Sequence, residues 1–185
     1  IPTHLPEHIE YNIVKWQSNH TKGFLEKLET VHTLDYNLKI LVMNIEALST
    51  KKGVEFAFRF IQRNKTMFVI DESTTIKNPE AKRSQNCMRL GKYAHYRRIL
   101  TGSPVTKSPL DLYSQCMFLN PALLGFSSYY SFRARYADLI DKVGNGRKYK
   151  IVTGYKNIDE LNELLNKFSH RVLKKDCLDL PEKIY

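Results

Sequence analysis

Residues 67–78, with the sequence MFVIDESTTIKN, indicate the fold class of this chain. The stretch opens with an apolar run of strand length, and two acidic residues, Asp71 and Glu72, follow directly. Two further short apolar runs, at 40–44 and 98–101, have the same strand-like character. Helical spacing fills the intervals between these runs, so the pattern predicts βαβ units and a parallel sheet covered by helices, an α/β fold.

The predicted helices and one hairpin complete this outline. Apolar spacing or capping signals predict helices over 6–16, 54–63, 79–90, from Ser108 to 119, from Ser128 and from Asn157 to 168. The Asn145-Gly146 pair predicts a hairpin that joins 142–143 to 149–152.

Composition places the chain among globular proteins and indicates a polyanionic partner. Of its 185 residues, 42% are hydrophobic and 26% charged, and the longest apolar runs are far below the ~20 residues that cross a bilayer. The net charge is +10. Two segments, 81–110 and 142–158, hold no acid, and their bases are Lys82, Arg83, Arg89, Lys92, Arg97, Arg98 and Lys107, then Lys142, Arg147, Lys148, Lys150 and Lys156. Such blocks fit nucleic acid, and equally fit a solvated basic surface.

The three cysteines indicate an intracellular protein. Cys87, Cys116 and Cys177 are odd in number and lack metal-ligand spacing, which argues against a disulfide framework or a zinc site. With no signal peptide pattern at the N-terminus, we expect buried free thiols and no secretion. The expected location is the cytoplasm of a bacterial or virus-infected cell, or the nucleus if the source is eukaryotic.

The acid pair is the first candidate for chemistry. A parallel strand would deliver Asp71 and Glu72 at its carboxyl end, where α/β sheets place ligand sites. An aspartate there can hold Mg²⁺ through water, and an adjacent glutamate can deprotonate a water that attacks a γ-phosphate. The alternative is an acid pair that only ends a strand.

The stretch LTGSP at 100–104 is the second candidate. It also follows a predicted strand, so its hydroxyls, Thr101 and Ser103, are expected at the same sheet edge as Asp71. There they can link a nucleotide site to a moving loop through hydrogen bonds. The alternative is an ordinary strand–turn–helix junction.

Together these stretches resemble the Swi/Snf-like branch of the superfamily 2 helicases. Residues 69–78 resemble its DExx, or Walker B, box, which reads as an apolar run, DEAH, two residues and KN. Other stretches in matching order are IPT at 1–3 (motif Ia), NIE at 44–46 (motif Ib), LTGSP at 100–104 (LTGTP), DLYS at 111–114 with FLNP at 118–121 (ELWSL…FLxP), FRARY at 132–136 (FRxRY), and RVLKKD at 171–176 with LPEK at 180–183 (RRxKxDV…LPxK).

The resemblance implies a RecA-like parallel sheet flanked by helices, a partial P-loop NTPase lobe. It implies a partial ATPase lobe at 1–125, a helical and hairpin appendage at 126–170, and an exit segment at 171–185 leading to a second lobe. The implied activity is DNA-dependent ATP hydrolysis coupled to movement on duplex DNA, with ATP and Mg²⁺ as cofactors in the parent protein and neither tightly bound to this fragment.

The resemblance also assigns roles to individual residues. Asp71 would hold Mg²⁺ through water, and Glu72 would be the general base. Thr101 and Ser103 would couple the nucleotide state to DNA. The nucleic-acid contacts would be Thr3 and Asn44 near the backbone, with Lys82, Arg83, Lys148 and Lys150 adding phosphate contacts.

Three departures from the family pattern matter. Thr74 stands where DEAH has His, Thr106-Lys107 replace the usual Asn or Gln after the motif proline, and no GxxxxGK[ST] stretch occurs in the 185 residues. We therefore expect a fragment that is inactive alone, with an open sheet edge beside 67–71 that permits self-association. Two alternatives remain: a non-catalytic nucleic-acid-binding or protein-interaction domain on the same fold, and an unrelated basic α/β protein.

Overall fold

The computed structural model describes residues 5–18, 21–33, 36–144 and 146–172. The chain divides into two compact units, Ile1–Tyr129 and Tyr130–Tyr185. The expected domain boundaries at 125/126 and 170/171 stay predictions. Among the described residues, no helix has both the length and the apolar character that a membrane span requires.

The first unit opens with a parallel strand pair. Strand β1 (Tyr11–Lys15) pairs with β2 (Leu38–Val42), and helix α1 (Lys22–Thr33) connects them. The helix expected over 6–16 is therefore wrong. Its three-residue spacing of apolar residues also fits a short strand, in which Val14 and Trp16 alternate inward with period two. Pairing with β2 decides in favour of the strand.

Helix α2 (Lys51–Arg63) separates two hydrophobic cores. Its Phe56 and Phe60 pack with residues of β1 and α1, while Val54, Ala57 and Ile61 pack with Ile70 and with α3. Thr50 ends a 3-10 turn at Ile45–Ser49 and begins α2, where its hydroxyl accepts a hydrogen bond from the Gly53 N–H at 3.1 Å. This cap satisfies one of the free donors of the first helical turn.

The apolar run that precedes Asp71 forms one strand of a second parallel pair. Strand β3 (Met67–Ile70) pairs with β4 (Tyr96–Ile99) in register, and α3 (Lys82–Gly91) is the crossover helix. Thus the predicted strands near 67–71 and 98–101 are confirmed, and so is the α/β class with parallel βαβ units. Within the described part of the chain β1–β2 and β3–β4 are separate two-stranded sheets, whereas the sequence predicted one sheet.

Helix α4 (Leu112–Leu119) covers the β3–β4 pair from one side. The predicted cap is confirmed on the 3-10 turn Pro109–Asp111 that leads into α4, since the Ser108 hydroxyl accepts from the Leu110 N–H at 3.1 Å. Phe118 is fully buried and meets Phe68 of β3 edge-to-face at a ring separation of 5.0 Å. The helix thereby lies beside the loops that leave β3 and β4.

The second unit contains a hairpin between two helices. Helix α5 (Tyr129–Tyr136) leads into β5 (Ala137–Gly144), which pairs antiparallel with β6 (Arg147–Tyr155), and α6 (Ile158–Asn166) follows. Gly144 pairs with Arg147, which confirms the predicted hairpin with strands longer than expected. Among the described residues of this unit, the buried side chains are those of Phe132, Tyr136, Ala137 and Leu161.

Candidate functional site

The ends of β3 and β4 form the candidate site. Hydrogen bonding continues past both strands, because the Leu100 N–H donates to the Ile70 carbonyl at 2.9 Å and the Ser73 N–H donates to the Leu100 carbonyl at 3.0 Å. The parallel register thus carries Asp71 and Thr101 out at the same edge. The structure brings together the two stretches that sequence patterns had singled out separately.

The acid pair is held in an unusual backbone conformation. Glu72 has a φ of 48° and a ψ of 57°, the left-handed region that costs residues other than glycine roughly 1–2 kcal/mol. Its N–H donates to the Asp71 Oδ1 at 2.9 Å, and both side chains are exposed. The turn therefore presents two solvent-accessible carboxylates from one rigid strand end.

The second loop is organised by its own hydroxyls. The Thr101 Oγ1 accepts from the Ser103 N–H at 3.2 Å, and the Ser103 Oγ donates to the Val105 carbonyl at 2.9 Å. Gly102 would tolerate a side chain, since no heavy atom lies within 4 Å of a Cβ built there. The hydroxyls of Thr101 and Ser103 thus shape this loop.

Asp111 ties this loop to the one after β3, and sequence reasoning missed that role. Its Oδ2 accepts from the Thr106 hydroxyl at 2.7 Å and from the Thr106 and Lys107 N–H groups at 3.1 and 3.0 Å. Lys77 also donates to the Thr106 hydroxyl, and its ammonium lies 3.9 Å from Asp111. Burial by itself would raise the pKa of Asp111, but the hydrogen bonds from Lys107 and Thr106 and the charge of Lys77 outweigh it and lower that pKa.

A second missed connection runs through the buried face of α4. The Gln115 Oε1 accepts from the Ser73 hydroxyl at 2.6 Å, and its Nε2 donates to the Pro104 and Asp111 carbonyls at 2.8 and 2.9 Å. The Ser114 hydroxyl donates to the Lys77 carbonyl at 3.1 Å. The available signal was a glutamine and a serine on an otherwise apolar helix.

The candidate nucleic-acid residues of the first unit lie in different environments. Thr3 lies outside the described residues. The Asn44 Oδ1 caps the following turn by accepting from the Glu46 N–H at 3.0 Å. Arg83 donates to the Thr75 carbonyl at 2.8 Å and pairs with Glu46 at 2.6 Å, so part of its charge is neutralised, whereas Lys82 is exposed at the start of α3.

The candidate bases of the second unit lie on the hairpin. Lys148 and Lys150 are exposed on β6, and Lys150 is the register partner of Asp141. At the base of the unit, Glu160 of α6 accepts from Arg135 and from the Tyr136 hydroxyl. Burial of its ring, together with the bond to Glu160, raises the pKa of Tyr136 to about 12. The FRARY stretch thus builds the core of this unit.

The side chains that could bind a metal are those of His, Cys, Asp and Glu, and cysteine can also react as a thiol. Among the described residues, no group of three or more His, Cys, Asp or Glu side chains converges. Asp71 fits a Mg²⁺ held mainly by water and phosphate, because it offers one exposed carboxylate at a rigid strand end. Burial raises the pKa values of Cys87 and Cys116 to about 12, which agrees with the predicted buried thiols, while Cys177 lies outside the described residues.

The parallel βαβ unit thus places an acid pair and a hydroxyl loop at the carboxyl ends of its strands, where α/β sheets bind ligands. The chain belongs to the SNF2-related domain family, whose model matches residues 1–185. The resemblance to the Swi/Snf-like branch is thereby confirmed.

Individual relatives are much longer than this chain. It is 31% identical over 116 residues to the DNA repair and recombination protein RAD26 of Saccharomyces cerevisiae, a match that covers 62% of this chain and 10% of the relative. It is 34% identical over 139 residues to human TATA-binding protein-associated factor 172, and that match covers 72% of this chain and 7% of the relative. It is 29% identical over 123 residues to the mouse DNA annealing helicase and endonuclease ZRANB3, and that match covers 66% of this chain and 11% of the relative. The chain therefore spans about a tenth of these relatives.

Among solved structures, the chain is similar to the Sulfolobus solfataricus SWI2/SNF2 ATPase core in complex with dsDNA. The identity is 26%, the TM-score is 0.46, and the match covers 70% of this chain and 23% of the other.

Proposed function

We propose that this chain is the part of a Swi/Snf-type DNA-dependent ATPase that carries its water-activating carboxylate and its coupling loop. The observation that carries the proposal is the in-register pairing of β3 with β4, which brings the acid pair and the 101–104 loop to one edge. Membership of the SNF2-related domain family supports nucleotide hydrolysis as the chemistry of that edge.

The proposed roles follow from the two carboxylates. Asp71 would orient water molecules bound to Mg²⁺, since its carboxylate is exposed directly after a rigid strand. Glu72 would take the proton of the attacking water. When bound, Mg²⁺ would neutralise charge on the transferred phosphate. Thr101 and Ser103 would relay the geometry of this edge to the loop that they shape.

The parent protein provides the test of this chemistry. Glu72→Gln should lower kcat for ATP hydrolysis at least a hundredfold and leave ATP binding unchanged, because the substitution removes the base but keeps the shape. Glu80→Gln, on an exposed carboxylate eight residues further on, is the matched control and should have no effect. Unchanged hydrolysis in Glu72→Gln would refute the proposal and favour the non-catalytic binding domain. The 185-residue chain alone should show no turnover.

Duplex DNA is the proposed partner, as the names of a DNA repair protein and a DNA annealing helicase among the relatives suggest. Exposed Lys82 in the first unit, and exposed Lys148 and Lys150 in the second, support phosphate contacts, while Arg83 contributes less because it pairs with Glu46. Thr3 and Asn44 complete the proposed set.

Salt dependence separates real phosphate contacts from a solvated basic surface. Each lost phosphate contact should reduce the slope of log K against log salt by about one. We expect Lys148→Glu with Lys150→Glu to flatten the slope for a duplex of mixed sequence, and Lys65→Glu to serve as the exposed control. If wild type, the Lys148→Glu/Lys150→Glu variant and Lys65→Glu all gave the same slope of log K against log salt, the hairpin lysines would contact no phosphate.

Self-association through the edge of the β3–β4 pair is a second proposed interaction, of one copy with another. Met67, Val69, Tyr96 and Leu100 are exposed on one face of the β3–β4 pair, although parallel sheets are ordinarily covered on both faces. Val69→Lys should abolish any concentration-dependent dimer seen in sedimentation. A wild-type protein that stays monomeric at all concentrations, like Val69→Lys, would refute this interaction.

We also place the protein inside the cell, in the nucleus if the source is eukaryotic, since reduced thiols suit Cys87 and Cys116.

A further inference from the structure

Gln115 of α4 is a fully buried polar side chain that forms hydrogen bonds at both ends of its amide. Its amide oxygen accepts from the Ser73 hydroxyl, and its two N–H groups have the Pro104 and Asp111 carbonyls as partners. Burying an unpaired amide costs roughly 1–3 kcal/mol, so a glutamine here is tolerated only while these bonds exist.

These bonds connect the two halves of the candidate site. Ser73 follows Glu72 directly, and Pro104 ends the loop that begins at Thr101. The Ser73 N–H also donates to the Leu100 carbonyl at 3.0 Å. A ring of hydrogen bonds therefore runs from the acid turn through Gln115 to the hydroxyl loop and back along the strand ends.

The two buried polar groups depend on each other. Ser73 and Gln115 are both fully buried, and the Ser73 hydroxyl donates to the Gln115 amide oxygen at 2.6 Å. Removing either side chain alone leaves the other as a buried polar group without this partner.

We propose that Gln115 is a positioning residue, which fixes the acid turn at Asp71-Glu72 relative to the Thr101–Pro104 loop. It is buried and acts through the Ser73 hydroxyl and the Pro104 carbonyl. The effect of Gln115 on catalysis rests on the proposed function. Its effect on the geometry of the Thr101–Pro104 loop is independent of that function.

Amide hydrogen exchange in the 185-residue chain tests the geometry. Gln115→Leu should raise exchange about tenfold at the hydrogen-bonded amides of Ser73, Leu100 and Ser103. A tenfold change corresponds to about 1.4 kcal/mol, which is within the worth of the lost bridge. Gln85→Leu, at an exposed glutamine of α3, is the matched control and should leave these amides unchanged. A rise below twofold in Gln115→Leu would overturn the proposal.

A double variant keeps the test decisive if the single variant is too unstable. Ser73→Ala with Gln115→Leu replaces the hydrogen-bonded pair by an apolar one and should recover most of the stability, yet the Leu100 and Ser103 amides should still exchange fast. Wild-type protection of those amides in the double variant would show that packing alone positions the loop.

Kinetics in the parent protein then separate positioning from simple stability. Gln115→Leu should lower kcat for ATP hydrolysis about tenfold and leave KM for ATP within twofold, since ATP contacts are not removed. A larger KM with unchanged kcat would contradict positioning. If Glu72→Gln leaves hydrolysis intact, the proposed function fails, while the exchange result still decides the role of Gln115.

Discussion

Replacing Gly53 by alanine should destabilise the first unit, although the same change ordinarily strengthens a helix. Alanine in a helix interior is favoured over glycine by roughly 0.5–1 kcal/mol. At Gly53, however, an added Cβ would lie 2.8 Å from the carbonyl carbon of Ala47 and closer still to its oxygen. These atoms are backbone, so no side-chain rotation relieves the contact.

The structure sets the size of the expected loss. The same Cβ would lie 3.1 Å from the Thr50 Oγ1, which caps α2 by accepting from the Gly53 N–H. Overpacking of this kind costs about 1–3 kcal/mol and a lost threonine cap costs about 1 kcal/mol. After subtraction of the helix gain, unfolding free energy should fall by about 1–3 kcal/mol.

Urea unfolding followed by tryptophan fluorescence measures this change. Trp16 is the only tryptophan and packs against Phe56 of α2 at a ring separation of 5.1 Å, so it reports this core. With a urea slope of about 1–3 kcal/mol per molar, the midpoint should drop by about 1 M.

Gly23→Ala is the matched control for this prediction. Gly23 also lies in the first turn of a helix, but no heavy atom lies within 4 Å of its added Cβ. That variant should be neutral or stabilised by up to about 1 kcal/mol. Equal midpoints for the two variants would refute the close approach of α2 to Ala47.

Two shorter predictions concern titratable groups. Because burial raises the pKa values of Cys87 and Cys116 to about 12, neither should react with a thiol reagent at pH 8 until the chain unfolds; fast modification of either, located by mass spectrometry, would contradict their burial. Asp111 has a pKa below the ordinary 3.8, so its contribution to stability is complete above about pH 4 and is lost as the pH falls through its folded-state pKa. Between pH 7 and pH 3, wild-type protein should therefore lose more unfolding free energy than Asp111→Asn; equal losses would show that these bonds do not stabilise the ionised form.

Elements with a strong local signal could be predicted from the sequence. The apolar run before Asp71 predicts β3, and the Asn145-Gly146 pair predicts the hairpin, because each pattern has one favourable local structure. The position of Asp71 and Thr101 at one edge follows from parallel strands.

Elements settled by distant contacts could not be predicted. Strand β1 shares its apolar spacing with a helix, and only pairing with β2 distinguishes the two. Helix α3 begins at Lys82 rather than Pro79, because Asn78 forms a separate turn by accepting from the Glu80 N–H at 2.9 Å. The bond between Ser73 and Gln115 joins residues 42 positions apart, and no local pattern marks it.

Substitutions at Glu72 can separate the backbone strain of its left-handed conformation from the proposed role of its carboxylate as a base. Glycine adopts the left-handed conformation without penalty, whereas alanine keeps the penalty of roughly 1–2 kcal/mol that glutamate bears. Glycine also gains freedom in the unfolded chain, which offsets roughly 0.5–1 kcal/mol. Glu72→Gly should therefore be about 1 kcal/mol more stable than Glu72→Ala by urea unfolding.

Both of these variants lose the carboxylate, so both should be inactive in the parent protein whatever their stability. An alanine variant as stable as the glycine variant would show that Glu72 is not held in the left-handed region. Hydrolysis that returned in the more stable glycine variant would show that the turn, and not the carboxylate, serves catalysis. A stable and inactive Glu72→Gly is the result expected if the backbone strain exists to aim a catalytic base.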